Sequence, residues 1–302
     1  MSDYDNRINR VVDYIQSNLD APLSIGDLSK VACFSEFHFN RVFKVVMGES
    51  VYKFVQRLRL EKSANLLLSK PNLPVTEIAL SCGFATPSSF AKSFKNHFKV
   101  SATEWRDRSR SLYEEIKSVA VDQGSMSIVK GSPVWTFYIN DSPRQVVLED
   151  LAPFQVAYVR NVGPYKSDAD LFHSLNSQLF QWAVPRGYVH ENTVTLNIYH
   201  DSPEVTDEGK LRVMVAIPVE GPVEPHDSIG VTKVSGGKYA TCRFLLKEDG
   251  FAEAWSWIFS VWLRYSGYQV DDRETFERCL GDKHIDGEHF YDVEICIPVK
   301  AR

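Results

Sequence analysis

Several features that would decide a function class at once are scarce or missing in this 302-residue chain. Its five cysteines form no C-x-x-C pair, so the sequence predicts neither a disulfide framework nor a zinc site, and we expect no metal and no cofactor. It contains no run of about 18 apolar residues and no signal-peptide pattern. These absences lead us to expect a cytoplasmic protein without a membrane partner.

Signatures of common enzymes are also missing. The sequence has no nucleophile elbow, no H-E-x-x-H, no P-loop and no G-x-G-x-x-G. We therefore predict no catalytic residue. What the chain does have is 44% hydrophobic and 12% aromatic residues, which is enough for two domains with cores of their own.

Charge is divided unevenly along the chain. Residues 1–110 hold 16 Lys and Arg against 11 Asp and Glu, whereas the remainder holds 18 basic and 28 acidic residues. A basic segment suits phosphate, and an acidic one suits a cation. The two parts of the chain are therefore predicted to bind partners of opposite character.

The basic part contains one pattern twice. In each copy, over 24–44 and over 74–98, a short helix, a tight turn and a second helix with a polar, basic outer face are expected. Phe39, Val42 and Phe43 mark the buried stripe of the first copy, and Phe90, Phe94 and Phe98 that of the second. This pattern is typical of a helix-turn-helix, whose second helix can enter the major groove of DNA.

A helix predicted over about 50–69 joins the two copies. Its length of about 30 Å is close to one turn of duplex, about 34 Å, so both second helices could reach one face of the same DNA. On this helix Arg57, Arg59 and Lys62 are expected to be solvated charges rather than phosphate contacts.

Residues 6–108 resemble the DNA-binding domain of the AraC/XylS family of transcription regulators. The resemblance rests on spaced positions of both copies: Ile25, Leu28, Ser29, Ser35, Phe39, Arg41, Val42, Phe43, Lys44, Gly48, Arg59, Leu60, Ala64, Leu67, Ile78, Ala79, Gly83, Phe84, Ser89, Phe90, Phe94, Lys95 and Phe98. It departs from the family at Lys99, where the second copy usually has glycine.

The resemblance implies base contacts from the outer faces of the two recognition helices, with neighbouring basic groups on phosphates. The positions are Phe37, Asn40, Arg41 and Lys44 in the first helix and Ser88, Ser89, Lys92 and Lys95 in the second. The residues alone leave an alternative, in which Phe37 packs into the core and Arg41 is only solvated.

The acidic part contains a second repeat, marked by Ile-Pro-Val at 217–219 and again at 297–299. Each copy is predicted as a β-α-β-β unit, with boundaries at 154–160, 166–183, 193–199 and 211–217, then 239–245, 251–265, 276–280 and 291–297. The predicted fold class is thus an all-α double helix-turn-helix domain (1–108), a linker (109–141, with a strand over 134–139), and an α+β domain (142–302) of two pseudo-symmetric repeats with both helices on one face.

Alternation along the last strand places Val293, Ile295 and Ile297 under the helices and Glu294 on the opposite face. Side chains that could surround Glu294 are Tyr158, Tyr165, Trp182, Tyr199 and Met214. A carboxylate among aromatic rings can bind a lipophilic cation. The alternative from the residues alone is that Glu294 pairs with Arg212 or faces water.

Residues 144–300 resemble the GyrI-like effector-binding domain, through 156–160, 163–165, 237–240 and the two Ile-Pro-Val strand ends. In multidrug-sensing members an acidic residue of the final strand recognises cationic, hydrophobic compounds, which implies that role for Glu294. The order of the two domains is similar to that of Rob-type regulators.

The resulting prediction is a sequence-specific transcription regulator that binds double-stranded DNA and a small amphipathic or cationic effector, with RNA polymerase as a further partner. Two alternatives stay open. One is a hydrolase of small electrophiles, with Glu294 as general base near Tyr165. The other is a protein-interaction module.

Overall fold

The structure of the chain is a computed structural model that describes residues 3–70, 72–107, 125–129, 132–139, 142–166, 168–263 and 266–301. It divides into two compact units. Unit 1 comprises Met1–Glu115 with Asp201–Glu208 and Pro225–Gly230, and unit 2 comprises Ile116–His200, Gly209–Glu224 and Val231–Arg302. The predicted domain boundaries at 108 and 142 remain predictions.

Unit 1 is helical. Its elements are α1 (Asp3–Ser17), α2 (Ile25–Val31), α3 (Glu36–Met47), α4 (Val51–Ser69), α5 (Val75–Ser81), α6 (Pro87–Phe98) and α7 over 102–107. Hydroxyl groups cap five of the helices at their N-termini, from Ser24, Ser35, Ser50, Thr86 and Ser101. Each accepts a backbone N–H of the first turn and so fixes where its helix begins.

Two separate apolar clusters form the core of unit 1. The first cluster packs α1, α2 and α3 against the N-terminal part of α4, and includes Phe39, Phe43 and Phe54. The second packs α5, α6 and α7 against the C-terminal part of α4, and includes Phe90 and Phe94. The two predicted helix-turn-helix copies are therefore two small cores, joined by one helix.

The departure at Lys99 does not prevent a normal helix end. Lys99 adopts the left-handed conformation with φ 65°, and its N–H donates to the Lys95 carbonyl over 2.9 Å. Gly48 ends α3 in the same conformation, with φ 70°. Lysine at this position thus ends α6 with the geometry that glycine would give.

Unit 2 is built on one antiparallel sheet. Its strands are β1 (Ser125–Val129), β2 (Ser132–Ile139), β3 (Ser142–Leu151), β4 (Phe154–Val162), β5 (Thr195–Tyr199), β6 (Arg212–Pro218), β7 (Gly230–Val234), β8 (Gly237–Leu246), β9 (Tyr268–Val270), β10 (Thr275–Ile285) and β11 (Glu288–Ala301). The order is β1-β2-β3-β8-β11-β10-β5-β6-β4-β7, with β9 on β11. Helices α8 (Ala169–Ala183) and α9 (Phe251–Trp257) follow β4 and β8.

The structure places two strands within the predicted linker, and the second of them contains the strand predicted over 134–139. Residues 125–129 and 132–139 form the strands β1 and β2, which pair with each other and, through β2, with β3. They extend the sheet because Val134 and Trp135 have apolar side chains that become buried. The part of the predicted linker over 109–124 lies outside the described residues.

Both faces of the sheet are packed, and the two faces sort as strand alternation predicts. Val293, Ile295 and Ile297 lie in the cluster that contains Trp257 of α9, which confirms their predicted place under a helix. The opposite face buries a second cluster, to which Phe276 belongs. The two predicted β-α-β-β sets lie side by side as β8-β11-β10 and β5-β6-β4, and their pseudo-symmetry stays a prediction.

Among the described residues, no helix combines the length and apolarity needed to cross a bilayer. The same residues contain no group of three or more His, Cys, Asp or Glu side chains arranged to hold a metal ion. None of the five cysteines, all of which lie among the described residues, forms a disulfide, and Cys33 is the exposed one.

Candidate functional site

The outer face of α3 presents the residues that the sequence assigns to DNA. Phe37 is 75% exposed, so its ring does not pack into the core, and the Arg41 guanidinium lies over that ring at 5.8 Å. Lys44 is exposed one turn further along, and the Asn40 amide donates to the Glu36 carbonyl over 3.1 Å. An exposed ring beside an exposed guanidinium can offer apolar contact to a thymine methyl and two donors to a guanine edge.

The outer face of α6 presents the second predicted set. Ser88, Ser89, Lys92 and Lys95 are all exposed. The Ser89 hydroxyl donates to the Thr86 carbonyl over 2.8 Å, so one part of its bonding capacity is already used within the chain. Both recognition helices therefore carry cationic side chains on a solvent-facing surface, as phosphate and base contact requires.

Two arginines of α4 are not the solvated charges that the sequence suggests. Arg57 is 4% exposed, and its guanidinium lies between Glu49, at 2.7 Å, and Glu61, at 3.1 Å. Arg59 donates to backbone carbonyl groups near the end of α1. The prediction was wrong for both residues. The partners of Arg57 lie 4 and 8 positions away in sequence, whereas those of Arg59 lie 40 and 38 positions away and are brought to it by the tertiary fold.

The six residues predicted to bind an effector are not brought together. Strand alternation puts Tyr158 and Met214 in the cluster on one face of the sheet, whereas Tyr165 and Tyr199 pack with α8 residues on the other. Trp182 stacks on the Tyr188 ring at 5.2 Å. One cleft containing all six side chains, as the sequence suggests, is therefore absent from the described structure.

Glu294 lies on the predicted face but has a cationic partner. The Arg278 guanidinium donates to it over 2.6 Å and to Glu149 over 3.1 Å. The partner suggested by the sequence was Arg212, and that assignment was wrong, since the cross-strand register sets Arg278 directly opposite Glu294. The negative charge of the Glu294 carboxylate is thus paired with the positive charge of Arg278.

The buried carboxylate among aromatic groups is Glu277 of β10, which the sequence analysis missed. Glu277 is 1% exposed. Three neutral donors hold it: the Tyr199 hydroxyl at 2.7 Å, the Trp255 indole N–H at 2.7 Å and the Asn197 amide at 3.2 Å. Asn197 and Tyr199 come from β5, the strand beside β10, and Trp255 comes from α9.

Aromatic rings continue outward from this carboxylate. The Tyr199 ring contacts Tyr165 at 5.5 Å and Trp255 at 5.6 Å, and Trp255 stacks on Phe259 at 6.1 Å. Phe259 is 39% exposed and lies in a π-helical turn, Ile258–Trp262, that continues α9. Such turns often occur at functional sites because they shift the register of the following side chains.

Burial controls protonation in this group, which we call the Glu277 site (Glu277, Asn197, Tyr199 and Trp255). Burial raises the pKa of Glu277, although the hydrogen bonds from Trp255, Tyr199 and Asn197 lower it. Burial and the neighbouring Glu277 carboxylate raise the pKa of Tyr199 well above its ordinary value, so the hydroxyl stays protonated and donates. Neutral donors do not balance the charge of a buried carboxylate, so burying it costs free energy. A bound cation would lower that cost.

Strand alternation would have identified Glu277 only in combination with the register between β10 and β11. It lies one residue from Phe276 within a predicted strand, and the register places it opposite Ile295, which faces the helices. A charged residue at a helix-facing position is a sequence signal for a buried polar site. The missing information was the register between β10 and β11.

The chain combines two helix-turn-helix units, a class of DNA-binding motif, with an α+β domain that contains a buried acidic site. The chain belongs to the family of the GyrI-like small molecule binding domain, whose model matches residues 144–300, and a helix-turn-helix domain model matches residues 28–108. The N-terminal domain is a helix-turn-helix domain of the AraC type.

Known proteins resemble separate parts of the chain. A DNA gyrase inhibitor of Salmonella typhimurium is 30% identical over 154 residues, covering 49% of this chain and 93% of that protein. An uncharacterized HTH-type transcriptional regulator of Staphylococcus aureus is 29% identical over 125 residues, covering 41% of this chain but 17% of that protein. The chain therefore spans a small part of that regulator.

Among solved structures, an AraC-type transcriptional regulator from Chromobacterium violaceum is 27% identical, with a TM-score of 0.33. The match covers 34% of this chain and 91% of that one.

Proposed function

We propose that the protein regulates transcription in response to a small amphipathic cation bound at the Glu277 site. The observation that carries this proposal is a fully buried carboxylate held by three neutral donors and flanked by aromatic rings. A quaternary or delocalised organic cation would pair with the carboxylate, and its apolar surface would pack against Tyr199, Trp255 and Phe259. Glu277 thereby takes the role that the sequence assigns to Glu294.

Recognition of DNA is proposed for the outer faces of α3 and α6. In this proposal Arg41 and Lys92 contact bases, while Lys44 and Lys95 contact phosphates. The exposure of all four side chains and the net basic charge of the first 110 residues support it. An effector can alter regulation only if it favours one functional state of the chain over another. RNA polymerase stays a predicted further partner.

An Arg41→Ala substitution should weaken binding to the specific operator by about 1–3 kcal/mol if the guanidinium contacts a guanine edge. The measurement is fluorescence anisotropy of an operator duplex selected with the wild-type chain, at two salt concentrations. Lys53→Ala, which removes an exposed lysine from α4, is the control and should leave operator affinity nearly unchanged. Equal affinity of the Arg41→Ala and wild-type chains would contradict the base contact.

Thermal unfolding of the full chain with a panel of ligands tests the effector class. The panel contains lipophilic cations, anionic amphiphiles of matched size and neutral analogues. A ligand that binds only the folded state increases the free energy of unfolding by RT ln(1 + [L]/Kd) and so raises the melting temperature. A cation at 100 times its Kd adds about 2.7 kcal/mol to the free energy of unfolding. Stabilisation by cations alone supports the proposal, whereas stabilisation by anions alone contradicts it.

The Glu277 site also favours a second candidate, hydrolysis of a small electrophile. A buried carboxylate with a raised pKa, 2.7 Å from a tyrosine hydroxyl, resembles a general base with a neighbouring donor. This candidate predicts turnover of an activated substrate that Glu277→Gln abolishes. Cation binding without turnover supports the regulator, and capture of a protein in place of a small ligand would support the interaction module.

A further inference from the structure

Helix α4 contributes to both cores of unit 1. The change from one core to the other occurs at two buried leucines that are separated by a single residue. Leu58 belongs to the first cluster and Leu60 to the second. Arg59 therefore lies at the boundary between the two helix-turn-helix copies. Because the clusters are separate, polar contacts at this boundary influence how the two copies are oriented.

Arg59 joins α4 to the segment between α1 and the first copy. Its Nε donates to the Leu19 carbonyl over 2.9 Å, and its Nη2 donates to the Ala21 carbonyl over 2.8 Å. Leu19 is itself part of the first core. The guanidinium is planar and its donors have a fixed geometry, so two bonds to one short backbone segment restrict both position and angle.

The turn of the second copy meets the same groups at Gly83. A Cβ atom there would lie 2.6 Å from the Leu19 carbonyl oxygen and 2.8 Å from the Arg59 Nε. The left-handed conformation alone does not demand glycine, because Cys33 occupies the equivalent turn of the first copy with φ 54°. Close approach to Leu19 and Arg59 is the additional requirement at Gly83.

A second polar contact ties α4 directly to the recognition helix of the second copy. The Gln56 amide donates to the Ser93 hydroxyl of α6 over 3.1 Å. Gln56 precedes Arg59 by nearly one helical turn. We call the contacts of Arg59 with Leu19, Ala21 and the Gly83 turn, together with this hydrogen bond, the α4 joint.

We propose that Arg59 is a positioning residue that sets the relative placement of α3 and α6, so that the protein accepts only one separation of its two DNA half-sites. The proposal rests on the proposed DNA contacts of both helices. One inserted base pair moves a half-site by about 3.4 Å and turns it by about 35° around the duplex axis. If α3 and α6 are held in one relative position, they cannot both reach their half-sites after this shift. If the contacts of Arg59 are removed, they can.

The test uses the full chain and an operator selected from random duplexes with the wild-type protein. Footprinting defines the two half-sites, and duplexes with one base pair added or removed between them are compared by anisotropy. The wild type should lose at least about tenfold in affinity on the altered duplexes, because one helix forfeits its base contacts. For Arg59→Ala, this spacing penalty should fall below about threefold.

Two variants separate positioning from general damage. Lys53→Ala lies on the same helix, is exposed, and should keep the wild-type penalty. If Arg59→Ala melts below the assay temperature, Arg59→Lys replaces it, because lysine keeps the positive charge without the two-pronged geometry, and an intermediate penalty is expected.

The proposal is overturned if the spacing penalty of Arg59→Ala equals that of the wild type. An equal loss of affinity on every duplex gives this result and indicates a purely structural role. Failure of the wild type to select any duplex would instead refute the proposed DNA contacts.

Discussion

A Glu277→Gln chain should no longer be stabilised by lipophilic cations. The amide has nearly the same shape as the carboxylate and can still accept the Trp255 hydrogen bond, but it provides no charge for the ligand. Removing one partner of a buried charge pair costs about 3–5 kcal/mol, so cation affinity should fall about 100-fold or more. Isothermal titration of the wild-type and variant chains with one cation from the panel measures this loss.

The same substitution should also make the stability of the free protein less dependent on pH. Burial raises the pKa of Glu277 above the usual 4.5, so between the two pKa values the folded state binds more protons than the unfolded state. Stability is then fully present below the unfolded pKa and is lost as pH rises through the folded pKa. Glutamine does not titrate, so the variant avoids this loss.

The expected signature is a difference in melting temperature, variant minus wild type, that becomes more positive as pH rises from about 4.5 to about 7.5. Glu294→Gln is the matched control, since Glu294 is paired with Arg278. It should keep cation binding. Cation binding that survives in Glu277→Gln and disappears in Glu294→Gln would return the effector role to Glu294.

An Arg57→Ala substitution should destabilise the DNA-binding unit by about 3–5 kcal/mol. The substitution removes the cation that lies between the carboxylates of Glu49 and Glu61, and both carboxylates lose their ion pair. Arg57→Lys should cost less because a positive charge remains. Urea unfolding followed by circular dichroism measures the change in the free energy of unfolding.

Lys53→Ala again provides the control for Arg57, as an exposed charge on the same helix, and should change the free energy of unfolding by less than about 0.5 kcal/mol. A loss of less than about 1 kcal/mol in Arg57→Ala would show that the buried ion pairs are not required.

Local chemistry explains which parts of the fold could be predicted from the sequence. Apolar residues at helical spacing define both small cores, as the sequence predicts for Phe39, Phe43, Phe90 and Phe94. Alternation in β11 correctly sorted Ile295 and Glu294 to opposite faces. Each of these inferences uses residues within a few positions of one another, where the backbone geometry is known in advance.

Features that depend on tertiary partners were missed. The carbonyl groups that Arg59 contacts are 40 and 38 residues away in sequence, so its pattern on α4 resembled that of a solvated charge. Glu277 required the pairing of β10 with β5, which brings Tyr199 to it across 78 residues. Strand register and side-chain partners of this kind follow from the assembled sheet rather than from local periodicity.

The two separate cores of unit 1 have a consequence for how the DNA-binding part unfolds. Each core is a distinct set of apolar contacts, so amide hydrogen exchange should divide the unit into two cooperative blocks that meet within α4. Either block can open while the other keeps its recognition helix folded. The lifetime of the protein on DNA would then be governed by the less stable block, which makes small differences in core packing a direct control of residence time.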